Sequence, residues 1–240
     1  MSGHSKWSQI KRQKGVADVK RGLTFTKLSN AITIAVKQGE GIGDPDQNFR
    51  LRLSIDAAKV ANMPKDNIER AIKRALGKEA GQLEEVVYEG FYPGGVTLIV
   101  EAATDNSQRT TSFIKSLFNK SGASFGQPGS VSYQFNQSGE IVIKKNNMSF
   151  DDIFAAAVEF GAEDVEEVLD EVLVFTSVSE LAKIRELLEK KGFEIIYSDI
   201  IRKPITPLTI KDEEELGKIE RFISAIEELD DVQKVYSNIA

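Results

Sequence analysis

The feature that most constrains this chain is a change of apolar period near residue 80. Before it, larger apolar residues recur only at helical spacing. Beyond it, short runs of alternating character take turns with helical stretches. From 140 to 201 the order is a strand (Glu140–Lys145), a helix (Phe150–Phe160), two strands (Val165–Val168 and Val172–Thr176), a helix (Ser179–Lys191) and a strand (Phe193–Ile201). That βαββαβ order is the split-βαβ, ferredoxin-like pattern.

The flanking pieces do not make a compact unit separately. Val86–Phe91 and Val96–Ala103 read as strands joined by Pro93-Gly94-Gly95, a hairpin signal. Ser107–Lys120 reads as a helix with Phe113, Ile114, Leu117 and Phe118 on one face; a glycine-rich loop (Gly122–Gly129) and a strand (Val131–Phe135) follow. After Pro204 and Pro207 come a helix (Asp212–Leu229) and a strand (Val232–Tyr236). Joined, these pieces complete a second sandwich. The predicted organisation is therefore α+β with three domains: 1–80, a basic arm and three helices; 81–133 plus 204–240, a discontinuous α/β domain; and 134–203, a ferredoxin-like α/β domain inserted into it. The joints at Gln134–Gly139 and Arg202–Thr206 should lie side by side.

In the first domain, Phe25, Leu28, Ile32, Ala35 and Val36 form one helix face, ended by the glycines of Gly39–Gly43. A second helix spans about Asn48 to Ala61. A third opens with Pro64 in its first turn, where a missing N–H is harmless, and Gly77 is its predicted C-cap. Met63 lies in the short turn between them. That turn lacks the usual Gly, which argues against a DNA-reading helix-turn-helix.

Charge is divided the same way. Residues 1–37 hold eight Lys/Arg and one acid, Asp18. Up to Ala80 the net charge is +8; from Gly81 onward it is −14, giving −6 for the chain. A basic head on an acidic body points to a polyanion as partner. Lys6, Lys11, Arg12, Lys14, Lys20, Arg21 and Lys27 supply cations for phosphate. Trp7, the single Trp, lies among them and suits stacking on an unpaired base, with His4 placed to hydrogen-bond a phosphate or base. The bland alternative is a solvated tail with Trp7 docked as an apolar anchor. In the helices, Asp66–Arg70 and Glu69–Lys73 are spaced as i,i+4 pairs, whereas Arg50, Arg52, Arg74 and Lys78 lack such partners and extend the basic face. The nucleic-acid-binding set is thus His4, Lys6, Trp7, Lys11, Arg12, Lys14, Lys20, Arg21, Lys27, Arg50, Arg52, Lys73 and Arg74.

Catalytic chemistry finds little support. Cys is absent and His4 is the single histidine, so neither a thiol nucleophile nor a typical zinc site can be built. The glycine-rich stretches match neither GxGxxG nor the Walker pattern. Glu89, Glu101 and Asp105 are the best candidates for paired acid/base carboxylates, a weak signal in so acidic a region. No apolar run approaches the roughly 18 residues of a membrane span, and no apolar h-region follows the basic N-terminus. The expectation is a non-enzymatic protein with no cofactor and no metal.

Several strings together resemble the YebC/PmpR family: Gly3-His-Ser-Lys-Trp7, Asn48-x-Arg50-Leu-Arg52, Asn62-Met-Pro64, Tyr88-Glu-Gly90, Pro93-Gly-Gly95, Thr104-Asp-Asn106, Arg109-Thr110 and Gly129-Ser-Val131. Tyr92 and Gln108 depart from that pattern, both read as loop positions. The resemblance implies a three-domain protein labelled a DNA-binding transcriptional regulator. It implies alternatively a ribosome-associated translation factor that binds ribosomal RNA on the large subunit and relieves stalls at difficult stretches such as consecutive prolines; the family includes the mitochondrial translational activator of cytochrome c oxidase. It carries over no catalytic, nucleotide or metal residue. A monomer without membrane contact is expected, and a cytoplasmic location, the latter because the family's start motif begins at Met1. A Lys-rich arm suits phosphate contact to folded RNA more than base reading in DNA.

Overall fold

A computed structural model describes residues 21–77, 83–146 and 148–239. Three helices come first: α1 (Arg21–Gln38), α2 (Phe49–Val60) and α3 (Lys65–Leu76). Ile32, Ala35 and Val36 of α1 bury against Leu51, Ile55 and Ala58 of α2 and Ile68, Ala71 and Ala75 of α3, with Met63 between. Asn48 locks α1 to α2. Its Oδ1 accepts from Leu51 N at 3.0 Å, capping α2, while its Nδ2 donates to Ala35 O and Ile42 O, both at 3.0 Å. A buried amide with its donors and acceptor all engaged fixes the angle between two helices. Gly39 permits this approach, because a Cβ there would overlap the Asn48 amide.

The short turn before α3 works without Gly because Asn62 adopts φ 57°. Met63 N donates to Ala58 O at 2.9 Å and Asn62 N to Lys59 O at 2.9 Å, the paired bonds of a Schellman end. Pro64 is the N-cap of α3, one residue before the predicted helical turn. Gly77 does occupy the C-cap position, but in extended conformation (φ −90°, ψ 175°) and not left-handed.

Two four-stranded antiparallel sheets follow. The first has the order β3-β1-β2-β8, from β1 (Glu84–Tyr92), β2 (Val96–Thr104), β3 (Ser124–Phe125) and β8 (Val232–Ser237). One face carries Tyr88, Leu98, Val100 and Ala102 under α4 (Ser107–Lys120) and α7 (Glu213–Glu227). The two helices share one core, with the Phe118 and Phe222 rings edge to face at 5.1 Å. The second sheet, order β5-β6-β4-β7, is built from β4 (Phe135–Lys144), β5 (Asp164–Val168), β6 (Glu171–Thr176) and β7 (Ile195–Pro204). Connected through α5 (Phe150–Glu159) and α6 (Leu181–Lys190), that is the ferredoxin-like arrangement, with both helices over Ile141, Ile143, Val172 and Val174. The chain of the second sheet thus runs between β3 and α7 of the first, and its ends lie together, with Phe135 opposite Pro204 and Gln137 opposite Arg202.

Four local expectations change. Val131–Phe135 is not a strand: Ser132–Gln134 forms a 3₁₀ turn, and Phe135 opens β4. The cause is Glu89, whose carboxylate takes the N–H groups of Val131 and Ser132 that a ladder would need. Phe113 does not join Ile114 and Phe118 in the core and is 53% exposed. Tyr92 is no loop residue. It ends β1 and packs on Phe222, the two rings tilted with centroids 5.3 Å apart. Gln108 lies in the first turn of α4.

Candidate nucleic-acid interface

Among the described residues, α1 carries no Asp or Glu anywhere between Arg21 and Gln38. The side of α3 that looks toward it has no carboxylate to meet. Arg70, Lys73 and Arg74 line one open groove there, with Asn67 of α3 and Phe25, Thr26 and Ser29 of α1; its volume is about 720 Å³. All three cations are exposed. Arg74 donates to Asn30 Oδ1 and Thr33 Oγ1, both at 3.2 Å. Both acceptors are neutral, so the guanidinium is held in place with no ion-pair partner among the described residues. Neither predicted i,i+4 pair of α3 forms; Glu69 instead meets Lys65 at 3.5 Å. Arg70 and Lys73 have no ion-pair partner among the described residues. Hydroxyls, an aromatic edge and three open cations in a concave strip suit a phosphate chain.

The other predicted cations lie elsewhere. Lys27 donates to the carbonyl of Glu227, the last residue of α7, where a cation meets the negative end of a helix dipole. Arg50 donates to Gln38, whose amide in turn donates to Glu85. Arg52 folds back on its own loop, donating to Pro45 O at 3.1 Å and meeting Asp46 at 3.6 Å. None of Arg50, Arg52 and Arg74 makes an i,i+4 ion pair among the described residues, but each is engaged elsewhere: Arg50 by Gln38, Arg74 by Asn30 and Thr33, and Arg52 by an acid, Asp46. His4, Lys6, Trp7, Lys11, Arg12, Lys14 and Lys20 lie outside the described residues, and Arg21 begins α1. Arg70 and Asn67 were absent from the sequence-derived set. The signal for them was the spacing 67, 70, 74, one stripe on a helix, masked by the formal Asp66–Arg70 match.

Each of the three candidate catalytic carboxylates has a structural partner. Buried Glu89 accepts from Gly129 N at 2.8 Å, Ser132 N at 2.9 Å and Val131 N. Burial by itself raises its carboxyl, but the backbone bonds from Gly129, Val131 and Ser132 outweigh that and hold it below the ordinary carboxylate value. Glu101 pairs with Arg202 Nε at 2.7 Å. Asp105 pairs with Arg109 at 2.9 Å, and Arg109 also holds Asp231 at 3.1 Å. Asp231 further accepts from Thr104 Oγ1 at 3.2 Å and from Thr110 Oγ1, so this cluster ties the start of α4 to the loop before β8. Among the described residues, no group of three or more His, Cys, Asp or Glu could hold a metal, and no helix is long and apolar enough to cross a membrane.

Comparison with known proteins matches both halves of the chain. Residues 5–78 fit the TACO1/YebC protein N-terminal domain, and residues 83–239 fit the TACO1/YebC second and third domain. A probable transcriptional regulatory protein of Sulfurihydrogenibium is 47% identical over 99% of this chain and 95% of its own length. One of Roseiflexus castenholzii is 47% identical over 100% and 95% respectively. The crystal structure of a conserved hypothetical protein from Aquifex aeolicus superposes with a TM-score of 0.89 at 43% identity, covering 98% of this chain and 97% of that one. With the fold, the domain matches and full-length relatives in agreement, this chain belongs to the TACO1/YebC family, and these two relatives in it carry the name probable transcriptional regulatory protein.

Proposed function

We propose that the protein is a non-enzymatic regulator of gene expression that binds nucleic acid along the α1–α3 groove. Arg70, Lys73 and Arg74 hold successive phosphates, Thr26 and Ser29 supply hydroxyl contacts, and the cations of residues 1–20 extend the track, with Trp7 and His4 engaging a base. The observation that carries this reading is the absence of any carboxylate on α1 opposite three exposed cations. The names of the relatives support a role in transcription. The two acidic sheet domains, taken as 81–133 plus 204–240 and 134–203, face away from the polyanion or meet a basic protein. The protein acts as a monomer in this scheme.

A second reading, a ribosome-associated factor on ribosomal RNA, is favoured by the shape of the groove. A concave strip of about 720 Å³ accepts a single strand or an unstacked base, whereas duplex DNA is ordinarily read by a helix that protrudes. Sedimentation through sucrose gradients at low and high salt separates the two. Salt-sensitive co-migration with large ribosomal subunits, lost when Arg70, Lys73 and Arg74 become Ala, supports RNA. Retention on promoter DNA without ribosome association supports transcription. Indifference of both to the triple substitution removes the groove from either account.

A further inference from the structure

A second cavity, of about 380 Å³, lies where the helical bundle meets both sheets. Ala31 and Ile34 of α1, Ala57 of α2, Val87 of β1, Ala103 of β2 and Ile201 of β7 give it an apolar wall. Its volume falls within the range of about 300–1,000 Å³ usual for small-molecule sites.

Two further lining residues bring polar atoms with no hydrogen-bond partner among the described residues. Ser198 of β7 is 4% exposed, and its Oγ makes no hydrogen bond. Gln233 of β8 buries its Nε2, likewise without a bond. Among the described residues only one other buried side-chain polar atom, Ser130 Oγ, is in this position, and Ser130 does not line the cavity. An unpaired buried donor costs about 1–3 kcal/mol, so two at one cavity point to something that satisfies them there.

The charged groups around the cavity say what that partner is. Arg202 is paired with Glu101 at 2.7 Å and Lys234 with Asp199 at 2.6 Å. Arg50 and Glu85 are bridged by Gln38, and Lys27 is bound to the carbonyl end of α7. Arg202, Glu101, Lys234 and Asp199 already neutralise one another in pairs, so an ionic guest would have to break one of these contacts, while an uncharged one need not. A Gln amide offers the donor and acceptor pair that matches the edge of a nucleobase.

We propose that this junction cavity binds an uncharged nucleobase or nucleoside, its amide-like edge toward Gln233 and Ser198 and its body against the Ala and Ile walls. Because those walls come from the helical bundle and from both sheets, occupancy stabilises their relative placement by linkage. The proposal does not depend on nucleic-acid binding in the α1–α3 groove.

The test uses the full chain with uridine, cytidine, adenosine and guanosine, each by equilibrium dialysis and thermal shift. At least one binds saturably and raises Tm. Gln233→Leu weakens that binding at least tenfold, and Ala31→Phe, which fills the cavity, abolishes it. If Ala31→Phe fails to fold, Gln233→Leu with Ser198→Ala carries the test. Competition by a tetranucleotide of the same base identifies a base within a chain as the natural guest; its failure identifies the free nucleoside. No saturable binding of any of the four at millimolar concentration overturns the proposal. So does binding that Gln233→Leu and Ser198→Ala leave unchanged, since the guest would then sit elsewhere.

Discussion

Two rows of cations invite comparison, Arg70, Lys73 and Arg74 on α3 and Arg202, Lys203 and Lys234 on β7 and β8. The second row is answered residue by residue: Arg202 by Glu101 at 2.7 Å, Lys203 by Asp164 at 2.7 Å and Glu166 at 3.3 Å, and Lys234 by Asp199 at 2.6 Å. It fastens one sheet to the other and braces the edge of the second. The first row faces a helix without acids and keeps its charge. The same side-chain type thus does two jobs, and the composition of the opposing element decides which. A cation row in an acidic region is mostly consumed by structure; one beside α1 stays available.

The largest expected effect tests the open row. Arg70→Ala/Lys73→Ala/Arg74→Ala should weaken nucleic-acid binding at least a hundredfold near physiological salt. It should also lower the slope of log affinity against log salt by about 2–3, since each lost phosphate contact removes ~0.7–0.9. Filter binding at four salt concentrations measures both. Lower affinity with an unchanged slope would mean that the three cations do not touch phosphate, and the contrast between the rows would lose its functional half.

The paired row should respond in stability and not in binding. Arg202→Met leaves Glu101 partly buried without its partner and should cost roughly 2 kcal/mol, less than a fully buried pair because both side chains remain 17% exposed. Adding Glu101→Leu should restore stability to within about 1 kcal/mol of wild type, as apolar replacement of both partners usually does. Urea unfolding of the two variants decides it. If the double variant is no more stable than the single, the ion pair is not what the position needs.

Much of this was legible in the chain. The change of period near residue 80 separates helical from mixed segments, and βαββαβ gives the second sheet its strand order, because that alternation admits few topologies. What stayed hidden depends on side chains far apart in sequence. The turn at Ser132–Gln134 is set by Glu89 some forty residues earlier, and no local propensity at Val131–Phe135 reveals that. The charge state of α3 was misjudged because i,i+4 spacing permits a pair without requiring one. Asp66 matched Arg70 on paper, yet the groove leaves Arg70 open, and Glu69 chose Lys65. Asn62 in left-handed conformation replaced the Gly expected at the turn, a substitution Asn tolerates because its short side chain bonds locally.

Glu89 gives a smaller, pH-dependent effect on the acidic side of the comparison. Its folded pKa lies below the unfolded value of about 4.3, so its contribution is fully present above that pH and fades as pH falls through the lower folded value. Glu89→Gln should cost roughly 1–2 kcal/mol at pH 7, since an amide turns one donor toward backbone N–H groups that need acceptors. The difference from wild type should shrink when unfolding is repeated between pH 5 and pH 3. A constant difference across that range would mean that packing, and not the carboxylate charge, holds the 129–132 segment.

The smallest effect concerns the one ion pair that α3 makes among the described residues. Lys65 and Glu69 meet at 3.5 Å with side chains 86% and 63% exposed. At that exposure, attraction is screened by water and offset by the entropy of ordering two long side chains. Lys65→Ala should change stability by no more than about 0.5 kcal/mol. It frees Glu69, one turn from Lys73, to form the i,i+4 pair that the spacing allows. If it does, nucleic-acid affinity should fall a few-fold although no groove residue has changed, and Lys65→Ala/Glu69→Ala should recover it. Equal affinity in wild type and both variants would show that Lys73 is out of reach of Glu69, and that the charge of the groove is fixed by geometry and not by competition between neighbours.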